Sequence, residues 1–198
     1  MTTSAVDLLW IPLGAGETTG LVRHSGRIFE AIGARRERRQ PCDLYHSALE
    51  VHLDGHSYAV EMTPAWGLPR DVDRGVVATG SVGLAGLGRS RLFRYEIHAW
   101  KDGAIPDAAE AVGPPLRVSA DHEHAESVLR LLQRFPMRTW GRDELGTGDM
   151  WNSNSLISWL LATSGHDVAR LRPPEHGRAP GWTAGLTVAQ RGLSAAQG

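Results

Sequence analysis

Tyr45-His46-Ser47-Ala48-Leu49-Glu50-Val51-His52-Leu53-Asp54-Gly55-His56-Ser57-Tyr58-Ala59-Val60-Glu61-Met62 is the stretch that decides how this chain folds. Asp54-Gly55 is a two-residue turn signal of the type I′ kind, in which both central residues take positive φ. The runs on either side favour strands, so the segment predicts a β-hairpin. Pairing outward from the turn sets Leu53 opposite His56, Val51 opposite Tyr58 and Leu49 opposite Val60. Side chains alternate along a strand. Those residues and Met62 therefore share one apolar face, and His46, Ala48, Glu50, His52, Ser57, Ala59 and Glu61 share the other.

Towards the N-terminus, Asp7 to Leu13 reads as a short apolar strand broken by Gly14, Gly16 and Gly20. Ser25 to Arg36 predicts a helix with Ile28, Phe29 and Ile32 on one face. Its closing basic run, Arg35, Arg36, Arg38 and Arg39, suits the negative end of a helix dipole. Towards the C-terminus, strands are predicted at Gly75 to Thr79, Arg91 to Trp100 and Leu116 to Ser119. The glycine-rich stretch Gly80 to Gly88 matches neither phosphate-loop spacing and reads as a flexible connection. A second helix runs from Asp121 to Phe135 with Pro136 as its stop, and a third from Asn152 to Gly165. After Pro173 the Pro- and Gly-rich tail is expected to wrap the surface and fray. Strands and helices do not alternate as a doubly wound sheet requires. The expected fold is α+β, an antiparallel sheet packed by helices, in one domain over residues 1–198 with its core at about 41–165.

Composition narrows the function classes. With 41% hydrophobic and 22% charged residues the 198-residue chain reads as globular. A net charge of -1 gives no global field for nucleic acid or anionic lipid, so neither nucleic acid nor membrane is expected as a partner. The single cysteine, Cys42, excludes an intrachain disulfide. Residues 1–16 lack a basic n-region, and no apolar run approaches 18 residues; a cytoplasmic location is the expectation. Asp121-His122-Glu123-His124 lacks metal-protease spacing and opens a helix, where acidic residues are common, so no metal and no cofactor are predicted.

The chemistry is expected at the third helix, Trp151-Asn152-Ser153-Asn154-Ser155-Leu156-Ile157-Ser158-Trp159-Leu160-Leu161. Leu156, Ile157, Leu160 and Leu161 centre on one stripe, and Ser153 falls close to its middle. Asn152 is a good N-cap, which puts Ser153 at the first helical position, where free N–H groups and the positive dipole end favour a developing oxyanion. A serine nucleophile needs a base. His46 can supply it, and Glu61, a diagonal neighbour about 7 Å away on the same hairpin face, can orient the imidazole as in a Ser-His-acid triad. Asn152, Asn154, Trp151 and Arg142 are the candidate substrate contacts: Trp151 to wall a pocket, Arg142 to hold an anionic group. Cys42, four residues before His46, reads as a lone half-buried thiol.

These residues and their order resemble the circularly permuted papain-like fold, which includes the PPPDE peptidases, the lecithin:retinol acyltransferase-like proteins and permuted relatives of NlpC-type amidases. Asn152-Ser153-Asn154-Ser155-Leu156-Ile157 is similar to that group's helix-opening Asn-Cys motif, with Ser in place of Cys and Leu in place of Phe. His46-Ser47-Ala48-Leu49-Glu50-Val51 is similar to its strand motif, and its polar third member maps to Glu61. The resemblance spans about Tyr45 to Gly165. It implies a hydrolase or acyltransferase acting on an amide, thioester or ester of a small molecule or peptide through an acyl-enzyme. The alternative is a catalytically inactive binding or interaction module on the same fold.

Overall fold

The computed structural model describes residues 4–15, 30–67 and 72–197. Its strands are β1 (Ala5–Pro12), β2 (Asp43–Leu53), β3 (His56–Pro64), β4 (Val76–Ser81), β5 (Arg94–Lys101), β6 (Leu116–Ser119) and the two-residue β7 (Gly177–Arg178). Residues 30–37 are helical (α1). The later helices are α2 (His122–Leu131), α3 (Ser153–Thr163) and α4 (Trp182–Gln197). The sheet runs β4-β5-β3-β2-β1-β6 with every neighbour antiparallel, and β7 adds a short parallel pairing to the start of β2. The fold is therefore α+β, as the hairpin led us to expect.

The hairpin forms in the expected register, from Leu53↔His56 to Leu49↔Val60. Asp54 and Gly55 both take positive φ, 52° and 82°, as a type I′ turn demands. The face carrying Leu49, Val51, Leu53, Val60 and Met62 joins Val6, Leu8, Tyr95 and Ile97, and α2, α3 and α4 cover it to form the main core. The opposite face carries a smaller cluster, Leu9, Ile11, Ala48, Ala59 and Ile105, under the loop that follows β5. The sheet is thus covered on both sides.

α3 is buried all round because it lies between the sheet and α4. Each of its sealed side chains, Leu156, Ile157, Leu160 and Leu161, is worth about 1.5–3 kcal/mol over exposure. α4 corrects the expectation of a frayed tail. Its sequence contains Gly185 and Gly192, each costing about 1 kcal/mol in a helix interior, which hides the helix from propensity. Gly185 has a packing reason: a Cβ there would lie 2.1 Å from Ser158 Oγ and 2.3 Å from Ser155 O. The two helices touch at that point.

Three other local expectations change. Ile32 is half exposed, and Glu30 and Ala34 are the buried side of α1; Ile28 and Phe29 lie outside the described residues. Glu30 is held by Arg39 and by the Cys42 backbone N–H. β5 starts at Arg94, because Arg91–Phe93 forms a 3-10 turn. The Gly80 to Gly88 connection is partly ordered, with Val82 bridged to Trp140 and a second 3-10 turn at Leu87–Arg89.

Candidate active site

α3 opens as its sequence dictates. Asn152 is the N-cap: its Oδ1 accepts from Asn154 N (2.9 Å) and Ser155 N (3.3 Å), and Asn152 N donates to Ser155 Oγ (3.1 Å) in a full capping box. A second layer of bonds comes from the turn before α4. Pro180 O accepts from Asn152 Nδ2 and Asn154 Nδ2, both at 2.8 Å, and Gly181 O accepts from Ser155 Oγ at 2.9 Å. Gly181 N donates to Asp149 Oδ2. Gly181 sits at φ +89°, and a Cβ on it would meet Asn152 Oδ1 at 2.2 Å. Further along, Ser158 Oγ donates to Trp182 O.

Asn154 then docks the helix on the sheet. Its Nδ2 also donates to Tyr45 O (2.9 Å), and its Oδ1 accepts from Ser47 Oγ (2.8 Å). Tyr45 and Ser47 are the residues on either side of His46. The mouth of α3 is therefore fixed to β2 at the position where the candidate base sits. Ser153 is 4% exposed, and it alone among Asn152, Ser153, Asn154, Ser155 and Ser158 has a side chain that makes no hydrogen bond among the described residues.

His46 leaves β2 on the side opposite Ser47, beside Ile11, its partner in the β1 ladder. There its Nε2 lies 2.9 Å from Asp107 Oδ2. An ionised carboxylate accepts, so this bond fixes the proton of a neutral ring on Nε2 and leaves Nδ1 with its lone pair. Asp107 stands at the N-cap position of the 3-10 turn Ala108–Glu110 but caps nothing. Its carboxylate goes to His46 instead. Contrary to the expectation for Glu61, it is Asp107 that holds the imidazole. Asp107 follows Pro106 and reads locally as an ordinary turn residue, so no sequence signal marks a partner 61 positions away.

Glu61 shares the His46 face as expected, but the hairpin ladder ends at Leu49↔Val60, one pair short of it. Its side chain is buried and makes no hydrogen bond among the described residues. Burial pushes its carboxyl up to about 7, with the Asp107 charge adding to the rise and His46 and Arg74 opposing it.

The expected substrate contacts are corrected too. The Asn152 and Asn154 amides are consumed by the cap, the turn before α4 and β2. Trp151 is a core residue, 2% exposed and stacked on Phe135 with ring centroids 5.0 Å apart. Arg142 Nε donates to Gly83 O (2.7 Å), and its side chain lines a cleft of about 450 Å³ whose walls include neither Ser153 nor His46. Among the first-turn N–H groups, those of Asn154, Ser155 and Leu156 are occupied by Asn152. Of the first-turn N–H groups, that of Ser153 is left without a partner among the described residues. No hydrogen bond joins the Ser153 hydroxyl to the His46 ring in this structure.

Asp121-His122-Glu123-His124 has structural partners. Asp121 caps α2 by accepting from His124 N, and His122 Nε2 lies 3.2 Å from Asp54 Oδ1. The Cys42 thiol is half-buried 3.2 Å from Glu30 and is raised chiefly by burial. Among the described residues no helix is long and apolar enough to cross a membrane. Comparison with protein-family models, with curated proteins and with solved structures gives no match.

Proposed function

We propose that the chain is a hydrolase or acyltransferase of permuted papain-like type, acting on an amide, thioester or ester through Ser153. One observation carries the reading: in a segment whose other polar side chains are all engaged, the Ser153 hydroxyl is left free, at the first position of a helix pinned to the residues flanking His46. The oxygen makes no hydrogen bond among the described residues and keeps a trace of solvent exposure, and attack on a substrate is a role that fits both.

In this reading Ser153 Oγ attacks the carbonyl carbon and its proton passes to His46 Nδ1. Asp107 accepts from Nε2–H throughout and stabilises the imidazolium. The Ser153 N–H and the positive end of α3 hold the oxyanion. Collapse expels the leaving group, which takes the proton from His46 and leaves an acyl group on Ser153. Water, or a second nucleophile, then adds to the acyl carbon as its proton passes to His46; the C–Oγ bond breaks, the acyl product leaves, and His46 returns the proton to Ser153 Oγ. The mechanism requires the hydroxyl, on the α3 side of β2, and the ring, which leaves β2 on the opposite side beside Ile11, to come within hydrogen-bond distance in the substrate complex.

A fluorophosphonate probe tests this. The wild-type chain is expected to be labelled, and Ser153→Ala, folded by circular dichroism, to be unlabelled. A well-folded wild type that takes no label sinks the enzyme. That result would favour the second reading, a binding module on the same fold, whose support is the missing Ser153–His46 hydrogen bond and the small exposure of Ser153.

A further inference from the structure

Exposed large apolar side chains gather at one end of the sheet. Trp66 (45% exposed), Leu84 (56%), Leu87 (39%), Leu92 (67%) and Phe93 (43%) account for five of the eleven such side chains among the described residues. They sit on three short 3-10 turns, Ala65–Gly67, Leu87–Arg89 and Arg91–Phe93, and the loop leading into them. The turns pack against one another, and Arg91 Nε ties the third to the first through Ala65 O (2.7 Å). The patch is therefore a built surface and not a scatter of single residues, and patches of that kind mark interaction sites.

Its charge points to the partner. Residues 76–94 carry Arg89, Arg91 and Arg94 and no acidic residue, in a chain whose net charge is -1; Arg94 pairs with Glu96 (3.9 Å) and Arg91 is held by Ala65 O, so Arg89 is the arginine most available to a headgroup. The nearest acids along the chain are Asp73 and Glu96, and Asp143 and Glu144 line the cleft beside Leu84 with Arg142 next to them. Apolar and Trp side chains on projecting turns, flanked by arginines, suit the boundary of a bilayer, where the apolar tips enter the acyl region and the guanidiniums meet anionic headgroups. We propose that these turns dock the protein peripherally on an anionic lipid surface. By the antiparallel order of the sheet, the end of β3, the end of β4 and the start of β5 lie at the same end as the start of β2, which holds His46. Docking would turn that end towards the bilayer. The proposal does not depend on Ser153 being a nucleophile.

The test is co-sedimentation of the full chain with vesicles of phosphatidylcholine alone and of phosphatidylcholine with phosphatidylserine. Binding to the anionic vesicles, weakening as salt is raised, is expected. Leu92→Asp with Phe93→Asp should abolish it, and both sites are exposed enough to spare the fold. Arg89→Ala should weaken it about fivefold, the effect of one interfacial charge. Three results would overturn the proposal: a folded chain that binds neither vesicle, binding that survives the double substitution, or a patch found buried in a dimer that does not bind vesicles. Ser153→Ala should bind like the wild type, so loss of enzyme activity and loss of docking are read separately.

Discussion

At the scale of the residue, the site turns on which polar side chains the fold spends and which it spares. Asn152, Asn154, Ser155 and Ser158 are spent on caps, on the turn before α4 and on β2, and Ser153 is spared. On the other strand face Asp107 holds His46, whereas Glu61 stays buried without a hydrogen bond among the described residues. Asp107→Asn, which cannot accept from Nε2–H in the same way, is expected to slow fluorophosphonate labelling by about a hundredfold or more. Glu61→Gln should change it less than tenfold; equal losses would return Glu61 to the triad. The positions of His46 on its strand face and of Ser153 at its helix opening were legible because each stands in a local pattern, a strand with strict alternation and a helix N-terminus. Asp107 was not, because a turn aspartate looks the same whether it caps its own turn or reaches a distant imidazole.

At the scale of the element, the hairpin was read to the residue pair, since a two-residue turn fixes the register on its own. The core face of the hairpin, the start of α2 and both ends of β6 were also legible from periodicity and caps, whereas α2 stops at Leu131 and passes into a 3-10 turn before Phe135. α4 was not. Its two interior glycines lower helix propensity, and the reason for Gly185, close contact with α3, lies in tertiary structure. The functional roles assigned to Asn152 and Asn154 failed for a related reason: amides at a helix mouth serve substrate or scaffold equally well in sequence, and here the Pro180 carbonyl takes both. Asn154→Leu is expected to cost about 2–4 kcal/mol, because it leaves Tyr45 O without this donor and Ser47 Oγ without its acceptor, both against the helix. Urea unfolding measures it. A loss under about 0.5 kcal/mol would mean that water replaces the amide and the dock is weak.

At the scale of the whole molecule, a sheet covered on both faces lets β2 serve two layers: Ser47 and Tyr45 grip the helix layer while His46 meets Asp107 beneath the β5 loop. Two buried groups make stability depend on pH. Glu61 is raised to about 7 from 4.5, so the unfolded chain releases a proton that the folded one keeps, and stability falls as pH rises from 4.5 to about 7. His166 is lowered to about 4 from 6.5, chiefly by burial and then by His124, so stability falls as pH drops from 6.5 to about 4. Between pH 4.5 and 6.5 the two slopes oppose. Urea midpoints for Glu61→Gln should rise with pH in that window, and those for His166→Asn should fall. Parallel curves for both variants and the wild type would show that neither group is shifted.

The proposed meeting of Ser153 with His46 is best tested by placing a thiol at the serine. In Ser153→Cys, an imidazole that reaches position 153 should pull the new thiol well below the ordinary value of about 8.5. Iodoacetamide should then alkylate position 153 rapidly at mildly acidic pH, and His46→Ala should abolish that speed. Cys42, raised by burial, is the slow internal control. A thiol at position 153 that reacts no faster than an ordinary cysteine, and is indifferent to His46→Ala, would contradict the proposed site.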